Sequence, residues 1–199
     1  MTPLVLASGN AGKLREFADL LAPMGWQVHP QSEFAVPEAE ETGLTFVENA
    51  LIKARNAARH TGSPALADDS GIEVDALKGA PGVFSARYAG PHATDEENNA
   101  QLLRALAEVP EAQRSARYWC VLTFLRHADD PTPVIVQASW EGRVLMAPEG
   151  EGGFGYDPLF WVPERQMSAA ALDKAEKNKI SHRGRASALL LAELKTRFS

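Results

Sequence analysis

LADDSGIEVDALKGAPGVFSARYAG, Leu66 to Gly90, is the stretch whose reading decides the fold. A short apolar lead-in, Pro64 to Ala67, reads as the end of a buried strand. It runs into adjacent carboxylates, Asp68 and Asp69, then Ser70 and Gly71, and a second apolar run (Ile72, Val74, Ala76, Leu77) follows. A loop punctuated by Gly and Pro then ends in Ser85, Arg87 and Tyr88. Strand ends that open into Gly-rich loops are where α/β proteins place ligands. Paired carboxylates at such a point serve a divalent cation, an activated water, or both. The same Asp-Asp-Ser-Gly also makes an ordinary turn, so the rest of the chain must decide.

Upstream, Pro3 to Ala7 is a continuous apolar run, the pattern of a buried strand. It breaks at Ser8-Gly9-Asn10-Ala11-Gly12, and Lys13 opens a helix with Leu14, Phe17, Ala18 and Leu21 on one face. Open backbone N–H groups at a helix start, the positive end of its dipole and a nearby ammonium together favour an anion. The spacing is not that of a Walker A loop, and no Ser or Thr follows the Lys. Trp26 to His29 reads as a second strand, and a polar loop then ends in Glu38, Glu40 and Glu41. Thr45 to His60 reads as a long helix closed by Gly62, with Phe46, Ala50, Ala54, Ala57 and Ala58 on its buried face. Lys53 and Arg55 lie on it, and alone they read as solvated surface charge.

Downstream, Thr94-Asp95-Glu96-Glu97 is a capping box that starts a helix ending before Pro110. Ser115 to Arg126 and Val134 to Trp140 are strand-like runs joined by a hairpin-type connection, and Tyr118, Trp119, Phe124 and Trp140 read as packing residues. In Gly152-Gly-Phe-Gly-Tyr-Asp157 the glycines allow close backbone approach, Phe154 and Tyr156 offer stacking surfaces, and Asp157 can accept hydrogen bonds. Ser168 caps a short helix through Leu172, and Lys174 to Lys179 carries three lysines. Ser181 caps a final helix whose buried face is Ala186, Leu189, Leu190 and Leu194. His182 and Arg183 stand in its first turn, where the helix dipole disfavours cations, and a locally unfavourable choice points to function.

The bulk numbers narrow the class. At 199 residues, 45% hydrophobic and 23% charged, the chain can form one domain of two lobes around a cleft. The expected organisation is a single domain over residues 1–199: an early α/β portion with a β-rich insertion between about 90 and 149. Net charge is −6 with signs interspersed, which argues against a nucleic-acid partner but leaves room for a small anionic ligand. A single cysteine, Cys120 in an apolar run, excludes an internal disulfide and a cysteine-rich zinc site and reads as a core thiol. No basic region followed by a long apolar segment opens the chain, and no apolar run nears the roughly 20 residues of a membrane helix, so a cytoplasmic protein is expected.

Two sets of charge then emerge: acidic Glu40 or Glu41, Asp68 and Asp69, and basic Lys13, Lys53, Lys177 and Arg183. Carboxylates for Mg²⁺ facing cations for anionic oxygens meet the needs of chemistry on a polyphosphate. No Ser or Cys with a partner base is evident, so direct attack by water is favoured. The residues alone thus point to a Mg²⁺-dependent hydrolase of nucleotide phosphates.

Five ordered motifs carry a resemblance over essentially the whole chain: SGNAGKLREF at Ser8, EETGLTFVENALIKA at Glu40, ADDSGIEVDALKGAPGVFSARYAG at Ala67, GGFGYDPLF at Gly152 and KNKISHRGRA at Lys177. The chain resembles the inosine/xanthosine triphosphate pyrophosphatase family, which removes deaminated purine nucleotides. The resemblance implies an α/β fold of two lobes around a mixed, twisted sheet, with flanking helices and a central substrate cleft. It also implies a homodimer, and conversion of a nucleoside triphosphate and water to the monophosphate and pyrophosphate with Mg²⁺, Mn²⁺ being able to substitute. By matching motif, Ser8, Gly9, Asn10, Ala11, Gly12 and Lys13 would wrap the triphosphate with Lys53 assisting. Asp69 would be the general base, and Glu41 or Glu40 with Asp68 and Asp69 would serve the metal. Ser70 would touch the substrate, and Phe154, Gly155, Tyr156, Asp157, Lys177, His182 and Arg183 would form the base and sugar pocket. Neighbouring side chains on a strand point to opposite faces, so Asp68 and Asp69 both face one metal only if the strand has ended. A pocket donating to the 6-oxo group of hypoxanthine or xanthine would reject adenine, since a buried donor would then face a donor. The rival readings are a pyrophosphatase for modified pyrimidines, a nucleotide sensor without hydrolysis and, third, a nucleic-acid-binding module, against which the net charge argues.

Overall fold

The computed structural model describes residues 2–198. The apolar run near the start forms β1 (Thr2–Leu6), followed by α1 (Ala11–Leu21), which buries Phe17 and Leu21. The helix begins two residues before Lys13 because Asn10 caps it. Next come β2 (Trp26–Pro30) and α2 (Phe46–Thr61). Gly62 closes α2 at φ 66° as expected, and Thr45, rather than opening the helix, caps it by exchanging hydrogen bonds with Glu48 in a capping box.

The central stretch departs from expectation. Instead of ending near Ala67, β3 runs for ten residues, Ala65–Val74, straight through Asp68, Asp69, Ser70 and Gly71. Turn chemistry loses here because both aspartates are buried and paired with lysines, and Ile72 and Val74 continue the apolar pattern into a core. Then follow α3 (Asp95–Ala105), capped by Thr94 with Glu97, β4 (Ser115–Leu125) and β5 (Val134–Val144). Two short strands, β6 (Phe160–Val162) and β7 (Met167–Ser168), lead to α4 (Lys174–Ile180) and α5 (His182–Phe198). Ser168 caps a short 3₁₀ turn, Ala169–Ala171, as its sequence suggested.

The seven strands form one mixed sheet in the order β2-β1-β3-β4-β5-β6-β7. β1 is parallel to β2 and β3, whereas β6 is antiparallel to β5 and β7. Contacts divide the chain into two units. The first comprises Met1–Asp69, Cys120–Gln137 and Ala186–Ser199, and the second Ser70–Trp119 and Ala138–Arg185. In the first unit Ala54, Ala57 and Ala58 of α2 pack against Val5, Ala7, Ala65 and Ala67, small side chains that let a helix lie close to its sheet. In the second, Ile72, Leu102, Leu106, Trp140, Tyr156 and Phe160 are among the residues of a larger, aromatic core. Burial of such side chains stabilises by about 1.5–3 kcal/mol each. Arg55 proves structural, its guanidinium donating to the carbonyls of Ala128 and Asp130. Cys120 is buried, and no helix among the described residues is long and apolar enough to cross a membrane.

Candidate active site

In the first unit, the loop from β1 to α1 and the middle of β3 meet through charge. Asn10 Oδ1 accepts from the N–H groups of Gly12 (2.8 Å) and Lys13 (3.0 Å), and Ser8 Oγ accepts from Asn10 N–H. The helix start is therefore closed by its own cap rather than open, contrary to the expectation of unengaged N–H groups. The cap aims Lys13 back at β3, where its ammonium takes both oxygens of Asp68, at 2.9 and 2.7 Å. Lys53, on α2, donates to Asp69 Oδ1 at 2.7 Å and stands 3.4 Å from Glu41.

The strand does not end at the aspartates, and its alternation hands them to two different lysines. Burial raises the Asp69 carboxyl above the usual aspartate range; Lys53 opposes the shift, while Glu41 and Asp68 add to it. For Lys53, burial works against the charge, but Asp69, Asp68 and Glu41 outweigh it and hold the ammonium above its ordinary range. Glu41 owes its position to the start of α2. Glu48 accepts from the N–H groups of Leu44 and Thr45, and the buried Asn49 amide bonds both polar groups of the Gly43 backbone.

A pocket of about 210 Å³ lies in this unit, lined by Ser8, Gly9, Lys13, Glu41, Lys53 and Asp68, and by Gln31, Glu38 and Ala39 as well. Gln31 and Ala39 carried no signal of their own in the sequence. Glu40 is exposed and does not line the pocket, and Ala11 and Gly12 are exposed on the first turn of α1. Among the described residues no group of three or more His, Cys, Asp or Glu side chains is disposed to hold a metal ion. Ser70, the next residue on β3, is half-buried.

The second unit gathers the other candidates. Asp157, buried, accepts from Phe154 N–H at 2.8 Å, pairs with the Lys177 ammonium and receives the Tyr118 hydroxyl at 3.4 Å. Gly153, at φ 78°, has no room for a side chain, since a Cβ there would lie 2.2 Å from Asp157 Oδ2. The Phe154 ring is 58% exposed, with Lys177 Nζ 4.6 Å and the Arg183 guanidinium 5.6 Å from its centre. His182 stacks on Tyr118 at 4.7 Å and 10°, with Trp140 at 6.3 Å and 19°. Ser181 turns the chain from α4 into α5 and accepts from Gly184 N–H, so His182 and Arg183 leave that corner in a fixed direction.

One expectation is corrected. The Tyr156 ring is buried and its hydroxyl donates to the Ser85 carbonyl at 2.7 Å, so Phe154 alone offers an aromatic face in this loop. Tyr118 and Trp140, read from sequence as packing residues, do pack, yet they also orient His182.

Comparison with known proteins bears on this arrangement. The model of the Ham1 family matches residues 4–193. A protein of Thioalkalivibrio sulfidiphilus named dITP/XTP pyrophosphatase is 60% identical over 98% of this chain and 99% of its own. One of the same name from Vibrio cholerae is 60% identical over 94% of this chain and 93% of its own. Among solved structures, a HAM1 protein from Coxiella burnetii superposes with a TM-score of 0.95 at 52% identity, covering 98% of this chain and all (100%) of that one.

Proposed function

The chain belongs to the Ham1 family, and on that premise we propose that it is a nucleoside-triphosphate diphosphatase acting on dITP, ITP and XTP. Water attacks the α-phosphorus, the bond to the bridging oxygen breaks, and monophosphate and pyrophosphate leave. Removing deaminated purine triphosphates in this way keeps them out of DNA and RNA. The observation that carries the reading is the pair of lysine–aspartate contacts: Lys13 on Asp68, both lining one pocket with Ser8 and Gly9, and Lys53, also on that pocket, on Asp69, which does not line it.

Asp69 acts as general base. Its burial favours the protonated form, which suits a group that must take a proton from water. Ser8 to Lys13 and Lys53 hold the triphosphate, and Ser70 touches the substrate. Arriving phosphate oxygens offer both ammonium groups new partners, so substrate binding releases the aspartates from their lysines. The donor set fits a hard divalent cation, Mg²⁺ or in its place Mn²⁺, because every acidic group at the pocket is an oxygen donor. Glu41 and Asp69, which already share the Lys53 ammonium, would hold it, with Asp68 adjacent; Glu40, facing solvent, is the weaker candidate. Such an ion would neutralise charge on the phosphates.

Phe154 stacks on the base, and His182, Arg183 and Lys177 supply donors for its 6-oxo group and the sugar. An adenine amino group would leave those donors facing a donor. The protein works as a cytoplasmic homodimer without nucleic-acid partners.

The test is product identity. With Mg²⁺ and dITP, the expected products are dIMP and pyrophosphate, GTP and ATP in parallel being nearly untouched. Orthophosphate would place attack at the terminal phosphorus and overturn the assignment of the phosphate-binding residues. No turnover, with dITP-dependent thermal stabilisation, would make the protein a sensor. Sedimentation velocity tests the dimer.

A further inference from the structure

The loop that carries Phe154 and Asp157 is held by α3, through Asp95 and Asn99, to which the proposed chemistry gives no role. Asp95 Oδ2 accepts from Gly155 N–H at 2.6 Å. One turn on, Asn99 Nδ2 donates to the Gly155 carbonyl at 2.8 Å and to the Asp95 carbonyl at 2.8 Å. The peptide planes on both sides of Gly155 are thereby fixed. A glycine at φ 61° can rotate either plane at little steric cost, so these bonds, rather than side-chain bulk, define the loop's path.

Asn99 is nine-tenths buried, and its Oδ1 has no hydrogen-bond partner among the described residues. The worth of this amide therefore lies in its two donated bonds. The opposite amide orientation would set oxygen against two carbonyls. Its neighbour Asn98 does parallel work on the loop after β3, accepting from Ala89 N–H and donating to the Ala86 carbonyl. The Tyr156 hydroxyl ties that loop to the Gly155 loop at Ser85.

We infer that Asp95 and Asn99 are positioning residues for base recognition. By fixing both faces of the Gly155 peptide they set the direction of the Phe154 ring and of the Asp157 carboxylate that anchors Lys177. Both act through the Gly155 backbone. The inference rests on the proposed reading of Phe154 and its cations as the base pocket.

Asn99→Ala, Asp95→Ala and Asp95→Asn are compared with wild type for dITP and dGTP turnover, well below each variant's melting temperature. Each alanine variant is expected to raise KM for dITP about fivefold, the loss of one to two hydrogen bonds, with kcat within about twofold. Both should also lower the preference for dITP over dGTP. Asp95→Asn keeps an amide oxygen facing Gly155 N–H and should stay near wild type. Lower melting temperatures with unchanged KM and unchanged preference would overturn the inference and leave α3 a merely structural support. Should Asn99→Ala fail to fold, the exposed Asp95 pair carries the same comparison. If the wild type releases no pyrophosphate from dITP, the functional reading fails, and the clamp is judged by amide hydrogen exchange over 152–157. Faster exchange in the alanine variants sustains it, and unchanged exchange removes it.

Discussion

Strand β3 bears carboxylates along its length, and the two units neutralise them differently. In the first unit Asp68 and Asp69 are each met by a lysine, with both aspartates buried. In the second, Glu73 at the far end of the strand and Asp75 just past it share Arg117 with Glu141. The arginine reaches Asp75 through two nitrogens at 2.9 and 3.0 Å and Glu141 through its Nε at 2.9 Å. A planar guanidinium fixes several partners at once and binds β3, β4 and β5 into one patch. An ammonium on a flexible stem is a point charge that can leave for a phosphate. The exposed cluster therefore supports the fold, and the buried pairs, on the proposed reading, are the ones that substrate would exchange.

That contrast can be broken by moving charge in either place. The largest effect is expected at Asp69: Asp69→Asn should lower kcat for dITP by at least ~100-fold with the fold intact by circular dichroism, as for loss of a general base. Near-normal turnover would remove Asp69 from that role and make both β3 clusters structural. Next, Arg183→Ala should raise KM for ITP by about tenfold, the worth of a charged hydrogen bond, and change kcat much less. Unchanged KM would exclude Arg183 from the pocket. Smallest is Arg117→Met, expected to leave turnover within about twofold and to cost about 1 kcal/mol at neutral pH, the scale of exposed pairs.

The pH dependence of that last variant sharpens the comparison. Hydrogen bonds from Arg117 and then Ser115 hold the Asp75 carboxyl below its usual range. A carboxylate depressed in the folded state stabilises above its unfolded pKa of about 3.9, and that stability is lost as pH falls through the folded value. The gap in melting temperature between wild type and Arg117→Met should therefore be full at pH 7 and close below about pH 4. A gap that persists in acid would mean that the stem of Arg117, not its charge, supports the patch.

Much of this was legible residue by residue. Thr94, Ser168 and Ser181 cap where their spacing said they would, because capping depends on three or four consecutive residues; Thr45, read as the first residue of its helix, is its cap instead. The alanine face of α2 was equally plain. The course of β3 through Asp-Asp-Ser-Gly was not, since it depends on lysines 16 and 55 residues away in sequence. Nor could sequence show that Lys53 faces a carboxylate while Arg55 meets two carbonyls, because both sit on the same helix with the same charge. Asp95 was read only as part of a capping box and Asn99 not at all, although consecutive asparagines inside a short helix are a poor choice for the helix itself and hint at bonds made outside it.

The corner between α4 and α5 has a consequence for how this chain can drift. A Cβ at Gly184 would lie 1.8 Å from the carbonyl oxygen of Asn178, a backbone atom that cannot swing aside. Every other amino acid brings that carbon, so no single replacement at 184 is small. On the proposed reading of His182 and Arg183, replacements at those two positions would change which bases are taken, whereas Gly184 admits no side chain without moving the backbone at Asn178. A change in what such a pocket reads would then come from the side chains it carries, not from the angle at which the corner presents them.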